Sequence, residues 1–390
     1  VTGTPDFEFV DTPEAYRRAA RALSRGRGPF AVDTERASTF RYDDRAFLVQ
    51  VFRRDAGTFL IAPEGHRDEV REAFAPVMGG RDWILHAAGE DLPSLAALGL
   101  YPGTLFDTEL AARIGGFDRS NLAAMVERFT GVTLEKGHGR EDWSSTPLPR
   151  EWQIYAAHDV IHLNALAEAQ AEHLDRHGKL GMATEEFDHI VGRYATDSVA
   201  PRRTWRDLKG VPALTSPADL QVARALWEER ESDARRTDTA AHALLPNRVL
   251  LDLARAHPRT PSEIARVPGF PRRRRGAAER WSRVIAAALD CAPETWPRPR
   301  RTTGGAPGKQ WWERHHPESW VELQAARLAV SDRAAALDMP AENLLQSAVL
   351  RETVWDIVSG DHLRDTDAVA RRLAAHGARA WQVEQCAPGI

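Results

Sequence analysis

Five side chains in this sequence are spaced to do chemistry together. The apolar run Phe30-Ala-Val ends in Asp33-Thr-Glu35. Strand side chains alternate faces, so carboxylates at i and i+2 leave one face at the same end of the strand. Such a pair repels itself unless a cation or protons lie between the two groups. Tyr155 and Asp159, four apart in a helix-forming stretch, share one helical face. Asp91 follows a short apolar run, Trp83–His86, at a helix start. Hard oxygen ligands from three separated stretches, with no cysteine or histidine ligand pattern, suit Mg²⁺ or Mn²⁺ rather than zinc.

The elements that must carry these residues read as alternating strands and helices. Phe7–Val10 is a short strand, and Thr12-Pro13 caps a helix whose Tyr16, Ala19, Ala20 and Leu23 fall on one face. Pro29–Glu35, Ala46–Phe52 and Thr58–Ile61 read as three strands joined by turn chemistry. Further along come a helix at about 66–77, the strand Trp83–His86, and helices near 91–98, 107–114 and 120–129. A glycine-rich loop around Lys136–Arg140 precedes one long helix from Pro149 to about His177. Short links favour an antiparallel meander and helical crossovers favour parallel additions, so the expected class is α/β, a mixed sheet flanked by helices.

Composition places this core in a larger chain. Its 390 residues hold 52 basic and 56 acidic side chains, a formal charge of −4. The charge is segregated: residues 1–200 carry −10, residues 201–301 carry +9, and the remainder −3. Such asymmetry suggests modules with different partners. Cys291 and Cys386 are too few for a disulfide framework, and no apolar run is long enough to span a bilayer. The N-terminal residues lack a signal-peptide pattern, so a cytoplasmic address is expected. From about 215 the pattern is helical throughout. The expected units are 1–200 for the α/β domain, 211–295 for a helical domain, 296–316 for a linker and 317–390 for a second helical domain. Pro246-x-x-x-Leu250-Leu251 is echoed by Pro340-x-x-x-Leu344-Leu345.

Asp33-x-Glu35 on an early strand, Glu90-Asp91-Leu92 further on, and Tyr155-x-x-x-Asp159 on a late helix resemble the DEDDy 3′–5′ exonucleases. Leu105-Phe-Asp107-Thr-Glu-Leu-Ala-Ala-Arg113 and Asp142-Trp143-x-x-x-Pro147-Leu148 look specifically like ribonuclease D. The resemblance covers about residues 7–178. The block at 215–292 looks like the helicase-and-ribonuclease-D C-terminal (HRDC) domain, with 317–390 as a candidate diverged copy. What the resemblance implies is a ribonuclease-H-like fold and two-metal hydrolysis of RNA 3′ ends, releasing nucleoside 5′-monophosphates. Asp33 would bridge both ions, Glu35 and Asp159 would complete the water-side site, and Asp91 would help hold the second ion. Tyr155 would orient the attacking water, since a phenol is a poor base at neutral pH. HRDC domains turn the expectation toward structured RNA such as tRNA precursors. A DNA 3′–5′ exonuclease and a catalytically silent nucleic-acid-binding protein are the alternatives. This sequence departs from the family's pattern at Arg36, where an aromatic or aliphatic residue is frequent, and at His158.

Other signals read as structure. Glu90, Asp107 and Glu109 suit helix N-termini, His173 and His177 a solvated helix face, and Trp311-Trp312 hydrophobic docking. Arg272, Arg273, Arg274 and Arg275, extended by Arg202 and Arg203, are read as contacts to a phosphate backbone, which confer affinity without sequence preference.

Overall fold

The computed structural model describes residues 4–134, 137–194, 204–272, 274–299, 305–360 and 365–390. Its first part alternates β1 (Glu8–Val10), α1 (Pro13–Arg25), β2 (Arg27–Arg36), β3 (Ala46–Arg54), β4 (Gly57–Ile61), α2 (Arg67–Met78), β5 (Asp82–Leu85), α3 (Ala88–Ala96) and β6 (Thr104–Asp107). Helices α4 (Thr108–Ile114), α5 (Leu122–Thr130), α6 (Arg150–Ile161), α7 (Leu163–Arg176) and α8 (Leu180–Tyr194) follow. The Thr12 hydroxyl accepts the Ala15 N–H and opens α1, whose Tyr16, Ala19 and Leu23 are buried against the sheet.

The sheet runs β1-β4-β3-β2-β5-β6. The β2-β3-β4 meander is antiparallel, while β5 adds parallel to β2, β6 parallel to β5, and β1 parallel to β4. Along β2 the faces alternate. Phe30 and Val32 join the core that includes α1 and α2, whereas Ala31 joins the core formed with α5 and α7. Asp33 and Glu35 continue the second face, toward α6. The β2–β3 register shifts between Glu35 and Arg36, just after the second acid, as irregularities beside functional sites often do.

The strand Thr104–Asp107 is not among the elements expected from the sequence, since four residues running straight into α4 leave too little periodicity to read. Two sequence expectations need correction. The long helix after Pro149 is two helices, α6 and α7, broken at His162. His173 is half-buried against Phe117 and Phe129, with ring centroids 5.0 and 5.9 Å away.

The remaining chain forms two helical blocks. α9 (Pro217–Thr237), α10 (Ala241–Leu244), α11 (Asn247–Ala256), α12 (Pro261–Arg266) and α13 (Ala277–Leu289) close around their own core of Leu220, Leu226, Leu250, Ile264, Trp281 and Ile285. α14 (Lys309–His315), α15 (Pro317–Ala336), α16 (Ala341–Leu344), α17 (Ser347–Ser359), α18 (Thr366–Ala375) and α19 (Ala380–Cys386) form the last block. Its buried Trp312, Leu323, Leu350 and Trp381 belong to one continuous core with the sheet's α1–α2 side. Trp312 docks as expected, whereas Trp311 is exposed. The Pro246/Pro340 echo is out of step in three dimensions. Leu344-Leu345 corresponds instead to Leu244-Leu245, each pair closing a one-turn helix after a long one.

Candidate active site

Asp33 and Glu35 at the end of β2 and Asp159 on α6 each offer an oxygen, and these atoms lie within 4.8 Å of one another. Burial followed by the Asp159 charge pushes the Asp33 carboxyl up to about 8. Burial likewise raises Asp159 to about 7 and Glu35 well above the carboxylate range, with Asp33 and Asp159 adding to the effect at Glu35. Packing therefore forces together three acids that resist ionisation without a cation.

Asp91 approaches from the other face of β2. The Thr34 hydroxyl donates to its Oδ1 at 2.6 Å, and the Arg36 guanidinium lies 3.8 Å from the same oxygen. Burial and then Asp33 raise Asp91 well above its usual value. It stands beside the three-carboxylate group rather than within it. Its helix is placed by Asp107, whose two oxygens accept the backbone N–H groups of Ala87 and Ala88 at the start of α3, and of Glu109 and Leu110 in α4. Asp107 is thus the cap expected from sequence, serving two helices at once.

Tyr155 stands one turn before Asp159 on the same face of α6. Burial, with Asp159, Glu35 and Asp33, raises the phenol above its ordinary value, so it remains protonated at neutral pH. Its ring is walled by His138, 5.8 Å away, and by the buried Trp143, 6.4 Å away.

The donor set fits hard divalent cations: oxygen ligands only, concentrated in one place. Gln50 adds a second sign. It sits directly across from Asp33 in the β2–β3 register, on the same face. It is fully buried, yet neither amide atom has a partner among the described residues. A buried amide of this kind leaves both a donor and an acceptor for something bound at the carboxylates. Gln50 and Thr34 were missed in the sequence. The alternation rule puts Thr34 on the face opposite the two acids, but finding Gln50 requires the cross-strand register.

Residues 7–174 match the family model described as 3′-5′ exonuclease, 219–285 the HRDC domain, and 305–390 the 3′ to 5′ exonuclease C-terminal domain. Ribonuclease D of Gluconacetobacter diazotrophicus is 30% identical over 281 residues, covering 69% of this chain and 68% of that protein. The chain belongs to the ribonuclease D family. The Escherichia coli ribonuclease D sequence is 30% identical over 266 residues, 66% of this chain and 68% of that protein. A crystal structure of a Bifidobacterium adolescentis protein aligns with TM-score 0.84 at 32% identity, covering 99% of this chain and 98% of the other. The E. coli RNase D structure aligns with TM-score 0.71 at 23% identity, over 95% and 98%, which supports the fold.

As a ribonuclease D family member, the chain is a 3′–5′ exoribonuclease, a hydrolase of RNA. Its sheet and helices are the ribonuclease-H-like arrangement, followed by the HRDC region. In that region Arg272, Arg274 and Arg275 are exposed, and the last two line a cavity of about 330 Å³ with Asp233, Arg280 and Trp281. Arg273, Arg202 and Arg203 lie outside the described residues. No helix among the described residues is long and apolar enough to cross a membrane.

Proposed function

We propose that this exoribonuclease removes nucleotides singly from RNA 3′ ends by divalent-ion-dependent hydrolysis, releasing nucleoside 5′-monophosphates. The observation that carries this reading is the convergence of Asp33, Glu35 and Asp159, three acids packed within 4.8 Å of one another whose carboxyls are all pushed up by desolvation. Asp33 would hold two ions, Mg²⁺ or Mn²⁺, with Glu35 and Asp159 on the water side and Asp91 on the other. When bound, the ions supply a clamp on the scissile phosphate and charge for the attacking and leaving oxygens.

The chain's own groups do the positioning. Tyr155, kept protonated by its burial, orients the attacking water through its hydroxyl and does not act as base. Thr34 and Arg36 fix the direction of Asp91. Gln50 offers its free amide to the water bound at Asp33. Arg272, Arg274 and Arg275, together with Arg273, Arg202 and Arg203, would hold the RNA backbone outside the site, independent of sequence.

The substrate class follows from the helical blocks. The E. coli relative's structure is described as that of an exoribonuclease involved in structured RNA processing. We extend that to this chain, with tRNA precursors as the expected class, in the cytoplasm. The last block is assigned as a diverged copy of the HRDC block, supported by the matching α9-α10-α11 and α15-α16-α17 patterns.

The test is end-labelled single-stranded RNA and DNA given to the protein with Mg²⁺ or Mn²⁺. The expected result is stepwise shortening of RNA from its 3′ end, reduced about a thousandfold or more in Asp33→Ala, the scale of losing a main electrostatic group. Shortening of DNA alone would reassign the substrate. Hydrolysis of neither strand would refute the reading.

A further inference from the structure

The glycine-rich stretch before Trp143 has no part in the chemistry described so far. Gly137 packs flat on Tyr155, where a β-carbon would overlap the ring, and a β-carbon on Gly139 would sit 3.8 Å from the Tyr155 hydroxyl. The Trp143 indole N–H donates to the His138 carbonyl at 3.2 Å and fastens the stretch from below. At position 137 only a residue without a side chain lets the backbone lie against the tyrosine ring, whereas at 139 a β-carbon would make an ordinary contact with the hydroxyl.

The next residue, Arg140, is thereby placed on the wall of a cavity of about 200 Å³ that also touches Glu35 and Arg36. Four acids line this cavity: Glu35, Asp44, Glu90 and Glu141. Arg36 is already engaged, with Asp44 at 3.1 Å, with the Glu90 carbonyl, and with Asp91 at 3.8 Å. Arg140 is exposed and makes no hydrogen bond or ion pair among the described residues, although acids stand around it. A wall of this charge would repel a polyanion; the one uncommitted guanidinium on it is where an anion gains most.

We propose that Arg140 binds a backbone phosphate of the strand whose 3′ end lies at the carboxylates. The assignment rests on the nuclease reading above and adds a contact to it. The guanidinium fork suits a phosphate's two free oxygens, and the contact is independent of base identity. Gly137 is the means of delivery: its close approach to the Tyr155 ring lets the residue that grips the strand sit near the one that orients the water.

The probe is a 5′-fluorescein-labelled RNA of five nucleotides, bound by the full chain in an Asp33→Asn background so that no product forms. Adding Arg140→Ala is expected to weaken affinity about tenfold at low salt and to flatten the slope of log affinity against log salt by about 0.7, one single-strand phosphate. Arg140→Lys is expected to recover the slope, because charge sets it, and only part of the affinity, because the fork is gone. Unchanged affinity and slope in Arg140→Ala, with the wild-type chain shortening the same RNA, would overturn the Arg140 assignment alone. A wild-type chain that neither binds nor shortens the RNA would overturn the nuclease reading beneath it.

Discussion

The two helical blocks meet the nuclease through the same corner and hold it by different chemistry. In each, a long helix ends at an aspartate in the left-handed region, Asp238 at φ 45° and Asp338 at φ 48°. Asp238 turns its side chain to the loop after β2: its carboxylate takes Arg45 at 2.8 and 3.0 Å, accepts the Tyr42 N–H at 3.3 Å, and lies 3.5 Å from Arg41. Asp338 presents backbone instead, its carbonyl accepting the buried Lys179 ammonium at 3.0 Å. Around Asp238 the contact is polar and half-exposed, and the HRDC block keeps a separate core. Around Asp338 the cores merge. Glu186 of α8, itself buried, takes both arms of Arg379 at 2.7 and 2.5 Å and the Trp381 indole N–H at 2.9 Å. The same turn therefore serves once as a clasp between two bodies and once as part of a single body.

That contrast can be broken most severely at Glu186. Glu186→Ala takes the carboxylate from a half-buried guanidinium that keeps only the Gly377 carbonyl, and leaves the Trp381 indole N–H unpaired, so a loss of about 3 kcal/mol is expected. Urea unfolding would measure it, with the sheet and the last block losing stability in one transition. Separate transitions for the two would show that the shared core does not act as a unit.

A smaller effect is expected at the clasp. Asp238→Ala removes a partly exposed carboxylate, so the cost to global stability is about 1 kcal/mol or less. The HRDC block, with its own core, stays folded. The change to look for is in arrangement: small-angle scattering should show the HRDC block moving away from the nuclease. An unchanged profile would mean that other contacts, such as the Ala240 N–H to Phe40 carbonyl bond of 3.1 Å, suffice.

The smallest effect is a titration of the same clasp. The hydrogen bond from Arg45 holds the Asp238 carboxyl below the usual range. Its folded-state value is depressed, so its contribution is complete above the unfolded value of about 3.9. It is lost as pH falls through the lower, folded value. Acidification below pH 4 should loosen the wild-type clasp and leave Asp238→Ala unaffected, read by the same scattering experiment.

How much of this was legible beforehand depends on range. Phe30–Glu35 announced both its strand and its acids, because alternation and burial are local and the two carboxylates sit at consecutive same-face positions. Tyr155 and Asp159 were legible for the same reason on a helix. The break at His162 was not: the surrounding alanines and leucines favour helix on both sides, and no Gly or Pro marks the interruption. Thr34 could have been found by the rule that found its neighbours, whereas Gln50 needs the pairing of two strands 17 residues apart in their register. Least legible was the fusion of the last block with the sheet. Periodicity shows that a helix has an apolar face, never which distant surface will cover it. The +9 stretch marked a module of different character, while Arg140, the uncommitted arginine near the carboxylates, was hidden in an acidic half of the chain.

The shared core also bears on how the protein is made. Trp312, Leu323 and Trp381 belong to the same buried cluster as Val10, Leu23 and Phe74. A ribosome delivers the sheet first, at about 5–20 residues per second. The surface of α4 and α8 that α16 and α19 cover must then stay wet for the whole time that the HRDC block is synthesised and folds on its own. Synthesis therefore leaves a sticky, half-finished nuclease for an interval set by the length of an intervening domain. The enzyme's order of assembly is first part, middle, then last part back onto first, and its vulnerability to aggregation falls in the gap.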